Sequence, residues 1–166
     1  MANTYTLIEA KTLTTTTASI EFTSIPNTYT DLLLKVSARH STAEISNDIL
    51  VSFNSSTSNF TAARVYGSGS GTGSDTNARS MGTTVGASAT ASTFASNDFY
   101  IPNYTSSNYK SYSTDQVGEN NATTAYQILV AGLWSDTSVI NAIKLQPGSG
   151  SFVADSTFYL YGIKNT

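Results

Sequence analysis

The stretch "DLLLKVSAR", Asp31 to Arg39, decides the fold class. Its apolar residues recur at every second position, with Leu32, Leu34, Val36 and Ala38 on one face and Leu33, Lys35, Ser37 and Arg39 on the other. Successive side chains leave a β-strand on opposite sides, so a period of two marks a strand with one buried face. A helix would split the same apolar residues between opposite sides of its circumference.

Working outward, the period persists. "SIEFTSIP" puts Ile20 and Phe22 on one face and stops at Pro26, and "DILVSFN" repeats the pattern through Ile49, Val51 and Phe53. The second half holds "AYQILVAGLW", "SVINAIKLQ" and "STFYLYGIK". Weaker candidates lie around Met81 to Val85 and Asp98 to Tyr104, followed by the tyrosine-rich "NYKSYSTDQ". No run carries apolar residues at helical spacing over a helix's length. Turn chemistry separates the strands in "SIPNTY", "SSN", "GENN" and "QPGSGS", and Pro147-Gly148 reads as a hairpin turn between the last two. The expectation is an all-β chain of about eight to ten short strands with long polar loops. It should fold as an antiparallel two-sheet β-sandwich, jelly-roll-like, because two sheets face to face bury the apolar sides of so many strands. One domain spans 1–166, with a flexible Gly/Ser-rich loop region at 67–97.

Composition agrees. Charged residues make up 11% of the 166, under half of the roughly 25% usual for a globular domain. Serine, threonine and asparagine take their place, residues suited to strands and turns. The net charge is −3 and the basic residues are scattered singly, so no electrostatic footprint for nucleic acid exists. Cysteine is absent, which removes disulfides, thiolate chemistry and Cys-ligated zinc. "MANTYTLIEAK" has neither a basic n-region nor an apolar h-region, so no signal peptide is expected. No apolar run approaches the roughly 18 residues of a spanning helix, so no membrane partner is expected. The sequons at Asn54, Asn59, Asn103 and Asn121 then mark surface loops rather than glycosylation.

Candidate chemistry fails test by test. In "RVYGSGSGTGSDTNARS", Arg64 to Ser80, neither glycine start completes G-x-G-x-x-G, because Thr72 and Ser74 stand where the third glycine belongs. No lysine follows a late glycine and no helix follows the loop, so no phosphate site is expected. His40 is the single histidine and reads as a surface imidazole at a strand end. Asp31 or Asp48 could in principle join it, but no serine occupies a nucleophile elbow. Asp75, Asp98, Asp115 and Glu119 do not cluster at calcium-ligand spacing. The chain is therefore expected to be no enzyme and to carry no metal or cofactor. Tyr100, Tyr104, Tyr109 and Tyr112, lying among asparagines, are the candidate protein or glycan contacts. Trp134 reads as core.

Several segments together resemble small virion structural proteins of tailed bacteriophages, especially phages of marine and aquatic bacteria. The matching segments run from Thr14 to Arg39, through "ILVSFN" and "NFTAARVYGSGS" between Ile49 and Ser70, to "STFYLYGIKN" at Ser156 to Asn165. They carry, in order, an F-x-x-I-P-x-x-Y-x-x-L opening (Phe22 to Leu32), a Phe53-Asn54 strand end, an aromatic-Gly-x-Gly loop at Tyr66 and a closing Y-G-I-K-N. The resemblance implies a jelly-roll-like domain on the particle surface, assembled in the host bacterial cytoplasm. Its role would be a capsid decoration (cement) protein, with head fibre, tail-associated or carbohydrate-binding receptor protein as the alternative. It implies a homotrimer whose partners are the major capsid protein or another virion protein, with a host surface glycan as a further candidate. Ser68 to Tyr112 departs from the pattern.

Overall fold

A computed structural model describes residues 4–119, 121 and 125–164. Twelve strands form: β1 (Tyr5–Thr12), β2 (Ile20–Phe22), β3 (Asp31–Ala38), β4 (Ser46–Phe53), β5 (Phe60–Gly67), β6 (Thr72–Thr76), β7 (Ser80–Val85), β8 (Ala95–Ile101), β9 (Lys110–Glu119), β10 (Ala125–Trp134), β11 (Ile143–Pro147) and β12 (Thr157–Ile163). They make an eight-stranded sheet, β1-β12-β3-β8-β9-β10-β5-β6, and a four-stranded sheet, β2-β11-β4-β7. Every ladder is antiparallel. No helix long and apolar enough to cross a membrane occurs among the described residues.

The topology is a jelly roll with two additions. β1 pairs β12, β2 pairs β11, β3 pairs β8 and β4 pairs β7, as in a long antiparallel ribbon rolled up on itself. The roll closes where β12 meets β3 and β11 meets β4. Two hairpins interrupt it, β5–β6 after β4 and β9–β10 after β8. Both join the larger sheet beyond β8, through the pairing of β10 with β5.

Alternation places the core. Leu32, Leu34, Val36 and Ala38 are buried, facing Ile20, Phe22, Ile49, Val51, Phe53, Ile143 and Leu145 of the smaller sheet. Phe53 sits at the centre of an aromatic cluster, with ring centroids 5.4 Å from Phe60, 5.4 Å from Trp134, 6.1 Å from Tyr112 and 6.4 Å from Phe99. Each such ring contributes on the order of 2–3 kcal/mol by leaving water.

Three expectations need correction. The 67–97 segment is not one polar loop: it holds β6 and β7 and runs into β8. Gly69 and Gly71 lie in the tip of the β5–β6 hairpin, where Ser68 N–H donates to Gly71 O at 2.9 Å and Gly69 has φ +79°. The strand β7, "SMGTTV", is buried at every position despite its polar sequence. Two of its hydroxyls have partners inside the protein: Ser80 Oγ donates to Asp48 at 3.2 Å, and Thr84 Oγ1 donates to Ala38 O at 2.5 Å. Pro147-Gly148 does not close a hairpin, because β11 and β12 belong to different sheets and the chain crosses between them. Arg39 does not project from the outward face. Its guanidinium donates to the carbonyls of Ala89, Thr90 and Thr93 and ties down the loop before β8.

The four sequon asparagines share one geometry. Asn54, Asn59, Asn103 and Asn121 have φ between +47° and +66°, the left-handed region in which asparagine is enriched. Turn chemistry therefore accounts for the sequon pattern. Asn54 also uses both ends of its amide: Oδ1 accepts from the N–H groups of Asn141 and Ala142, and Nδ2 donates to Val139 O at 2.7 Å. The "GENN" turn and the last residue of Y-G-I-K-N fall partly outside the described residues.

Tyrosines seated on glycines hold strands in close register. A Cβ on Gly132 would lie 2.0 Å from the Tyr112 ring, and one on Gly162 would lie 2.3 Å from the Tyr29 ring. The second contact joins the F-x-x-I-P-x-x-Y segment to the closing Y-G-I-K segment. Gly132→Ala is expected to destabilise the fold by about 1–3 kcal/mol, through displacement of a buried ring. Gly71→Ala, with open space at its Cβ, should stay within about 0.5 kcal/mol of wild type. Urea unfolding of the two variants checks the contrast.

Candidate functional site

The four candidate tyrosines do not form a common face. Tyr112 is on the inward side of β9, buried against Phe53 and Phe99, and its hydroxyl donates to Ala78 O at 3.4 Å. Tyr104 is fully buried in the loop after β8, its hydroxyl donating to Pro26 O. Burial pushes both phenols above their ordinary value. Tyr100 lies on the outward side of β8 and donates to Asp31 Oδ2 at 2.8 Å. Burial, reinforced by that carboxylate, pushes its phenol up to about 12. Tyr109 alone is well exposed, at 60%. The period of two and a tight turn pulled half the set into the core, where their rings are worth more than on the surface.

His40 is also not where a strand-end imidazole is expected. It is fully buried, with neither ring nitrogen hydrogen-bonded among the described residues, and Nε2 stands 3.8 Å from Glu44 Oε2. The ring occupies the space a Cβ on Gly86 would need, 2.5 Å from its Cε1. The acids that could have joined it serve elsewhere. Asp31 accepts from Tyr100 and from Asn103 N–H, and Asp48 accepts from Arg64, Asn77 and Ser80. Asp75 pairs with Arg64, Asp98 pairs with Lys35, and Glu119 accepts from the N–H groups of Thr90 and Asn121. No group of three or more potential metal ligands forms among the described residues.

What sequence reasoning missed is a cleft made by the unequal sheets. β7 is the edge of the four-stranded sheet and packs over β8, β9 and β10. The inward sides of β10, β5 and β6 therefore overhang it. At one end Phe60, Trp134 and Tyr112 fill the overhang. In the middle Arg64 spans it: Nε and Nη2 donate to the two oxygens of Asp75 at 2.6 and 2.8 Å, and Nη1 donates to Asp48 Oδ1. Asp48 also accepts from Asn77 Nδ2 at 2.8 Å. This guanidinium ties β5 to β6 on one side and to β4 on the other, and it holds the Asp75 carboxyl below the usual carboxylate value.

Beyond Arg64 the overhang stays open. The rings of Tyr66 (β5) and Tyr126 (β10) lie 6.0 Å apart at 31°, and Tyr66 covers Gly73 of β6. Neither hydroxyl is hydrogen-bonded among the described residues. Two adjoining recesses, of about 260 and 190 Å³, share Ser46, Thr83 and Tyr126 as walls. Gln116 lines the larger, 1% exposed and with Oε1 unpartnered. The only hint in the sequence was tyrosine at inward positions of two strands, which proves diagonal only once their pairing is known.

The outward side of the eight-stranded sheet is broad, and among its charges Lys35 pairs with Asp98. One row crosses it as Tyr161, Leu33, Tyr100, Ser113, Ala131, Ala63 and Thr76. The next runs Tyr159, Lys35, Asp98, Asp115, Leu129, Val65 and Ser74. Val65, Leu129 and Val117 are 54%, 46% and 45% exposed and cluster on the hairpin half. Compared with family models, with curated proteins and with solved structures, the chain matches none.

Two predictions come from the charged and titrating groups. Arg64→Ala should cost about 3 kcal/mol by leaving Asp48 part-buried without its cation, whereas Asp75→Asn, at the exposed end, should cost less than about 1 kcal/mol. Thermal or urea unfolding separates them. Burial lowers the pKa of His40 from the ordinary 6.5, and nearby Glu44 offsets this only in part. The unfolded chain then binds a proton that the folded chain refuses. His40's contribution is intact above the unfolded pKa and is lost as pH falls towards the folded one. Between about pH 7.5 and about pH 5.5, wild type should lose stability and His40→Gln should lose less. Equal losses in urea unfolding would assign the titration to another group.

Proposed function

We propose that the chain is a non-enzymatic virion structural protein, a capsid decoration protein that binds the outer surface of a phage head as a homotrimer. The observation that carries this reading is the outward side of the eight-stranded sheet. It is wide, its hydroxyls and small side chains are interspersed with Val65, Val117 and Leu129, and its few charges are largely paired. Such a surface suits wet, hydrogen-bonded contacts with an apolar centre, as in protein interfaces. The residues of the phage-protein resemblance, Phe22 to Leu32, Phe53-Asn54 and Tyr161 to Lys164, lie on the jelly-roll ladder or in its turns. They support a shared architecture, while the sheet face supports its use as a docking surface. On this reading the protein assembles in the host cytoplasm, partners with itself and the major capsid protein, and ends on the particle surface.

The second reading is a head fibre, tail-associated or carbohydrate-binding virion protein, and the Tyr66–Tyr126 cleft favours it. Light scattering on the purified chain should give a trimer, with closed cyclic symmetry. Co-sedimentation with heads lacking the protein should show saturable binding. The pair Val65→Asp and Leu129→Asp, both exposed, should weaken that binding by about tenfold or more with unchanged thermal stability. A monomer that ignores heads at micromolar concentration would overturn the cement reading. A count of a few copies per particle would favour the fibre or receptor alternative.

A further inference from the structure

We propose that the overhang cleft beside Tyr66 and Tyr126 is a binding site for a neutral saccharide. The inference rests on the second reading above and is tested on the isolated chain, so its failure leaves particle binding as a separate result.

The cleft's chemistry excludes other ligand classes in turn. An anion would need a free cation, but the guanidinium of Arg64 is already held by Asp75 and Asp48, and Glu119 adds negative charge at the rim. A metal cation would need several free carboxylate oxygens. Both oxygens of Asp48 already accept hydrogen bonds, and no three ligands converge among the described residues. A wholly apolar ligand would strand the hydroxyls of Ser46 and Thr83 and the amide of Gln116.

A sugar ring meets each demand. Its C–H faces pack on an aromatic ring, and two tyrosine rings stand at the cleft with free hydroxyls at their tips. Its hydroxyls both donate and accept, which suits phenols, Ser46, Thr83 and the carbonyl of Gln116. Gln116 supplies an observation independent of shape: its Oε1 is buried and without a partner, a state that costs about 1–3 kcal/mol unless a donor arrives. The recesses, about 260 and 190 Å³, are each below the roughly 300 Å³ typical of sites for larger organic ligands. They suit one or two rings rather than an extended cofactor. The site is also built on strands rather than on a loop, with Gly73 letting Tyr66 lie flat and Arg64 bracing the wall.

Saturation-transfer NMR tests this with glucose, galactose, mannose, N-acetylglucosamine, maltose, lactose and cellobiose at millimolar concentration. At least one should receive saturation on its ring protons from wild type. Ser46→Trp, at an exposed position on the rim, should abolish the transfer by filling the shared wall. Tyr126→Ala should weaken it by about tenfold or more. Amide spectra establish that each variant is folded, and if Tyr126→Ala is not, Ser46→Trp decides. No transfer from wild type to any of the seven sugars, or transfer undiminished in Ser46→Trp, would overturn the proposal.

Discussion

The structure depends on a mismatch in width: eight strands in one sheet face four in the other. A sheet buries one face only as far as something covers it, and the smaller sheet ends at β7. The two added hairpins therefore create both the broad outward face and the inward overhang. Everything distinctive about the surface follows from how that overhang is closed. At the Phe60 and Trp134 end it is closed by aromatic packing around Phe53, the cheapest solution for an apolar face. At the Tyr66 and Tyr126 end it is closed only halfway, by amphipathic rings whose hydroxyls stay wet.

Between these ends the chain solves a harder problem, a polar strand in a buried place. The strand β7 carries serine and threonines, and β8 and β9 set Asn97, Thr114 and Gln116 opposite it. Buried polar groups are tolerable when paired. Ser80, Thr84 and the Asn97 amide, which donates to Thr83 O at 3.2 Å, are paired. Asn97 Oδ1, Thr114 Oγ1 and Gln116 Oε1 are not. Of these residues Gln116 lines the cleft. Arg64 separates that polar region from the aromatic end and links three strands across the gap, so the cleft keeps its shape without a covering sheet.

Most strands were legible because one face of each meets the core and the other meets solvent. Asp31 to Arg39, Ile49 to Phe53 and Ala125 to Trp134 follow that rule. The strand β7 showed only weakly, as a candidate around Met81 to Val85, because both its sides are covered and its hydroxyls replace apolar side chains as packing. The β5–β6 hairpin hid behind its glycines, which read as freedom but serve as a turn tip and as the seat of Tyr66. His40 and Arg39 were misplaced for a related reason. They follow a strand at a point where the chain stops alternating and the loop before β8 folds over them. The candidate tyrosines failed as a group because they are spread over β8, the loop after it and β9, where Tyr104 and Tyr112 turn into the core.

By itself the sequence determined the all-β class, the sandwich, the inward residues of the strong strands and the turns at left-handed asparagines. These rest on local periodicity and local backbone preference, which act within a few residues. Only the tertiary structure decided which sheet each hairpin joins, that one sheet overhangs the other, and that Tyr66 meets Tyr126 beside Arg64. Strand order is set by pairings between distant segments. A cleft between sheets belongs to that order rather than to any single stretch of chain.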